Sequence, residues 1–116
     1  MEISIDLSLE DLGVWWDDNG IPRFPDDTLV IHPDSCARYC ASLIDSADLV
    51  FLNSRHYNAM QRNCLSRDGH WFAVAGDLLI DPWACWAELL GSCVLATDSD
   101  LAQSLYAGPW ERLIAA

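Results

Sequence analysis

Three residues of this chain have the types and order needed for acyl transfer. Cys36 can supply a thiol nucleophile, His70 an imidazole base, and Asp81 a carboxylate to orient the imidazole. Cys36 falls in the first turn of a predicted helix, where unpaired N–H groups and the helix dipole favour thiolate over thiol. His70 opens one strand of a predicted hairpin and Asp81 closes the other, so pairing across Gly76-Asp77 brings the two together. Each residue also has a structural explanation. Cys36 shares an apolar helix face with Cys40, Leu43 and Ile44, Asp81 before Pro82 is a natural helix cap, and His70 is a strand-end histidine.

Other side chains suggest different chemistry. His32, Cys36, Cys40, Cys64 and His70 are all potential zinc ligands, yet the chain has no C-x-x-C pair and the spacings match no standard site. Core packing accounts for Cys36 and Cys40, so neither metal nor cofactor is expected. Trp15 and Trp16 are adjacent and flanked by Asp17, Asp18, Asp26 and Asp27, with Phe24 nearby. On a strand the two indoles point to opposite faces, so at least one is expected in solvent unless both faces are covered. An exposed aromatic rimmed by carboxylates suits a basic protein surface, although a solvated acidic hairpin around one core tryptophan is the plainer alternative. Arg55, Tyr57 and Arg62 lie in a polar segment that suits partner contact, including contact with a second copy of the chain in a homodimer.

The elements that must position these residues can be read from periodicity. Residues 2–7 alternate as a strand, Ser8 and Asp11 have capping-box spacing, and Asn19-Gly20 predicts a hairpin turn. Residues 28–32 form a short β-branched run that predicts a strand. Residues 34–47 carry helical periodicity with Asp34 as N-cap. A strand is expected over 49–52 and a hairpin over 70–75 and 78–80. A helix begins at Asp81-Pro82 and stops near Gly91, another runs from Asp98 or Ser99 to about Gly108, and a last helical turn starts at Pro109. The expected fold is α+β, a small mostly antiparallel sheet packed against three or four short helices, in a single domain over 1–116.

The block from Gly69 through His70, Gly76, Asp77 and Asp81 to Trp83 resembles the His-strand and Asp-strand pair of papain-like thiol hydrolases, including transglutaminase-like forms. The order Cys36 helix, 49–52 strand, His70, Asp81 is similar to theirs over about residues 36–83. The resemblance implies a thiol hydrolase or acyltransferase core, active or degenerate, with Cys36 as nucleophile, His70 as base and Asp81 orienting it.

Charge points elsewhere. Eighteen acids and six arginines, with no lysine, give a formal net charge of −12. Residues 1–48 hold eleven acids against two arginines, whereas 49–68 hold three arginines against one acid. This balance repels phosphate backbones and anionic lipid, so neither nucleic acid nor membrane is expected as a direct partner. It favours salt-sensitive encounter with a basic protein. No apolar run approaches the roughly 20 residues that cross a bilayer. Acids at positions 2, 6, 10 and 11 are unlike a signal peptide, and five cysteines are an odd number, so reduced thiols and a cytoplasmic setting are expected. The function expected first is therefore non-enzymatic: an acidic inhibitor of the anti-CRISPR or immunity type, from a phage or mobile element, that masks the basic surface of a partner such as a nucleic-acid-binding effector.

Overall fold

The computed structural model describes residues 3–44, 47–53, 69–107 and 109–113. The expected α+β class is observed: a five-stranded antiparallel sheet and a separate two-stranded hairpin, with three α-helices among the described residues. The hairpin pairs β1 (Trp15–Trp16) with β2 (Pro22–Arg23). The main sheet contains β3 (Asp48–Asn53), β4 (Gly69–Ala75), β5 (Leu78–Ile80), β6 (Val94–Ala96) and β7 (Glu111–Leu113), ordered β6-β5-β4-β3-β7. The helices are α1 (Pro33–Leu43), α2 (Pro82–Trp86) and α3 (Asp100–Leu105).

The β4–β5 hairpin is the part that positions the site. Gly76, at φ 60°, takes the first central position of the two-residue turn between Ala75 and Leu78, where a positive φ suits the right-handed strand twist. At the other end of β4, Gly69 has φ 153°, and a Cβ there would lie 2.3 Å from the Leu52 carbonyl and 2.6 Å from the Phe51 ring. Only glycine lets β3 and β4 close immediately before His70.

Alternation puts His70, Phe72 and Val74 on one face of β4, with their partners Leu52 and Val50 on β3. All five are essentially inaccessible, so this face is the deepest part of the core. Phe72 meets the ring of Tyr106 at 4.9 Å and that of Trp110 at 5.2 Å, both edge-on. Trp71 lies on the opposite face, stacked on Phe51 at 4.7 Å, and Arg38 of α1 reaches over its ring at 5.7 Å.

Several local expectations need correction. Residues 3–7 form no strand: Leu7 N–H closes a turn onto Ser4, leaving Ile5 exposed and Leu7 buried. Residues 28–32 contribute only an isolated bridge between Leu29 and Arg23. α1 starts at Pro33, not after Asp34, because Pro33 is well suited to the first helical turn; Asp34 instead pairs with Arg38 at 2.6 Å. Pro109 starts no helical turn, since 111–113 pair with β3 as β7. The capping box is present, with Ser8 and Asp11 exchanging backbone-to-side-chain bonds of 2.9 and 3.1 Å ahead of a 3-10 turn at Glu10–Leu12. No helix among the described residues is long and apolar enough to cross a membrane.

Candidate functional site

Two of the three candidate catalytic residues meet. β4 pairs with β5 so that Asp81 follows directly on Ile80, which lies opposite Ala73. Asp81 therefore falls on the same sheet face as Phe72 and His70. Its Oδ2 is 2.6 Å from His70 Nε2, and both side chains are about 1% exposed or less. Tyr106, at the C-terminal end of α3, donates its hydroxyl to the same oxygen at 2.6 Å. The other carboxylate oxygen caps α2 by accepting the Ala84 N–H at 3.2 Å. Nε2 is the ring nitrogen that faces the carboxylate, so the Nε2–H tautomer is the one that donates to Asp81. Trp83 closes the group, its ring centroid 4.8 Å from that of His70.

Cys36 is sealed from solvent. It lies in the first turn of α1 as expected, but it is 1% exposed. Burial pushes its thiol well above the usual range, reinforced by the neighbouring Cys40 thiol and the Asp81 charge and opposed by the Trp83 backbone N–H. The anticipated thiolate is thus a neutral core thiol, because desolvation outweighs the helix dipole. The constellation can hold an imidazole in one tautomer and orientation. Acyl transfer further requires a solvent-reachable, ionisable sulfur, and Cys36 supplies neither property in this state.

The aromatic–acidic candidate stands apart from the buried group, on the β1–β2 hairpin. Trp15 and Trp16 are both exposed, at 42% and 49%, where at least one is expected in solvent. The two-residue strands belong to a hairpin outside the main sheet. This hairpin is nevertheless held firmly. Asp17 accepts the Asn19 and Ile21 N–H groups at 2.9 and 3.0 Å and the Arg23 guanidinium at 2.8 Å, and these bonds, Arg23 first, hold its carboxyl below the usual range. The turn is not the two-residue type anticipated at Asn19-Gly20. Asp17 accepts the Gly20 N–H, and Gly20 alone of the turn residues has a positive φ, 76°. Phe24 is fully buried, stacks on Tyr39 of α1 at 4.0 Å, and offers its carbonyl to Trp15 Nε1 at 3.1 Å.

The rim carboxylates accordingly divide by role. Asp17 is committed to the hairpin, and the Thr28 side chain, with the Thr28 N–H that Asp26 accepts at 3.0 Å, holds the Asp26 carboxyl below its usual range. Asp18, Asp26 and Asp27 are exposed. Arg55, Tyr57 and Arg62 lie outside the described residues, as does Cys64. Among the described residues no group of three or more His, Cys, Asp or Glu side chains could hold a metal ion. An open groove between the 26–29 segment and α1, lined by Asp26, Thr28, Leu29, Ser35, Arg38, Tyr39 and Ser42, contains none of the three candidate catalytic residues.

Sequence reasoning missed Tyr106 and Trp83 as members of the buried group. Tyr106 is 25 residues from Asp81, with no local spacing that links them. No family model, curated protein or solved structure matches this chain.

Proposed function

We propose that this protein is a non-enzymatic acidic binding protein that occupies a basic surface of a protein partner, with Trp15 and Trp16 as its anchors. The observation that carries this reading is the pair of adjacent, half-exposed tryptophans on a hairpin that Arg23 ties internally and the adjoining Phe24 packs against α1. Preorganised aromatics lose little freedom on docking, and indole is enriched among residues that dominate binding energy. Asp18, Asp26 and Asp27 rim them in a chain of net charge −12, which steers a cationic partner and discourages an anionic one. An inhibitor of the immunity or anti-CRISPR kind acts in this way, by covering a basic channel.

The test is capture from the source cells followed by reconstitution with the purified partner. A basic protein should bind stoichiometrically, with affinity that falls steeply as salt rises. Reversal of Asp18 and Asp27 to lysine should weaken the complex at least tenfold. A complex indifferent to both salt and charge reversal refutes the reading.

A second reading has its own observation, the 2.6 Å His70–Asp81 contact in the order that papain-like thiol hydrolases use. On this reading the core descends from, or opens into, a thiol hydrolase with Cys36 as nucleophile. A thiol-directed acylating probe should then label native protein at Cys36 and lose that site in both Cys36→Ser and His70→Ala. Labelling of Cys36 only after denaturation excludes it.

A further inference from the structure

A different pair of thiols is built around the backbone of Asp81. At the start of α2 the Cys85 N–H donates to the Asp81 carbonyl at 3.3 Å, which sets Cys85 one turn above it. On the other side the Asp81 N–H donates to the Cys93 carbonyl at 2.8 Å, where β5 meets the chain entering β6. The intervening residues fold back tightly: Leu89 N–H returns to the Ala84 carbonyl at 2.9 Å, and Glu88 takes a φ of 62°. This return brings the Cys93 thiol within hydrogen-bonding reach of the Cys85 sulfur. Cys85 is partly exposed, whereas Cys93 is fully buried and held by its own N–H on the Leu7 carbonyl at 2.8 Å.

We propose that Cys85 and Cys93 are a peroxide-responsive dithiol site that closes to a reversible intrachain disulfide, Cys85 attacking and Cys93 resolving. The Cys85 thiolate attacks one oxygen of hydrogen peroxide, or of an organic hydroperoxide, and breaks the O–O bond. Hydroxide (or alkoxide) leaves and takes up a proton, and Cys85 becomes a sulfenic acid. The Cys93 sulfur then attacks the Cys85 sulfur and expels the hydroxyl, which departs as water with the Cys93 proton. Two thiols and one hydrogen peroxide thus give one disulfide and two waters; a small dithiol reverses the change. The division of roles follows from the geometry. The sulfur that peroxide can reach is Cys85, and donation from Cys93 brings it down to about 7, while Cys93 is pushed far up and keeps its proton.

The experiment treats the reduced full-length chain with hydrogen peroxide, blocks remaining thiols by alkylation and maps the peptides by mass spectrometry. The expected product is a Cys85–Cys93 linkage, formed before change at Cys36 or Cys40 and undone by dithiothreitol. In Cys93→Ser, a sulfenic-acid trap such as dimedone should mark Cys85. In Cys85→Ser, oxidation of Cys93 should slow at least tenfold. The pH midpoint for native Cys85 alkylation should lie near 7, rising toward the ordinary 9 in Cys93→Ala. First oxidation at another cysteine, a Cys85–Cys64 or interchain linkage, or a Cys85 midpoint unmoved by Cys93→Ala overturns the proposal.

Discussion

At the scale of single residues, the most constrained group is the Asp81 carboxylate. It accepts from Tyr106, from the Ala84 backbone and from His70 in a site that water does not reach. A buried acceptor of this kind is costly when any donor is lost. Tyr106→Phe keeps the ring packing on Phe72 and deletes one charge-assisted bond, so it should lower unfolding free energy by about 2 kcal/mol in a urea titration. A loss under about 0.5 kcal/mol is too small for a bond to a charged buried group and would mean that Asp81 does not rely on Tyr106. Cys36 is the contrasting case. The same helix N-terminus that activates an exposed thiol leaves this one neutral, because its surroundings are Cys40, Trp83 and the Asp81 charge in place of solvent. Its alkylation in native protein should therefore follow the rate of unfolding.

At the scale of elements, the β4–β5 hairpin carries the architecture that matters. Gly69→Ala should cost about 1–3 kcal/mol, because the added methyl meets both a backbone carbonyl and a packed ring. Thermal melting checks this directly; an unchanged midpoint shows that β3 and β4 can separate without loss. This hairpin was legible from the sequence for physical reasons. Gly76-Asp77 demands a particular turn, Asp81-Pro82 is a cap followed by a first-turn proline, and one register joins them, so His70 and Asp81 could be paired on paper. Elements whose pattern was short were not legible. Residues 3–7 alternate like a strand, yet they find no neighbouring strand and form a turn. Residues 111–113 follow a proline that suggested a helix, but the open edge of β3 claims them. The site was half legible for a related reason. Local turns reveal which strands pair, whereas the position of Cys36 and the arrival of Tyr106 depend on how α1 and α3 pack, and no spacing along the chain encodes that.

At the scale of the whole molecule, the distribution of polarity separates two regions. Around β4 the histidine, carboxylate and tyrosine are sealed beneath aromatic rings; at the β1–β2 hairpin, large apolar rings stand in solvent among carboxylates. A stable fold does not require the second arrangement, since two exposed indoles contribute little to the core and expose apolar surface. The proposed binding role would account for it, with net charge selecting the sign of the partner. The most direct test is calorimetric titration of the reconstituted partner with wild-type chain and with Trp16→Ala, whose side chain is 49% exposed. The prediction is a loss of affinity of at least tenfold, about 1.4 kcal/mol, with thermal stability unchanged. Equal affinity for both chains, or retained binding when Trp15 and Trp16 are both replaced, contradicts it.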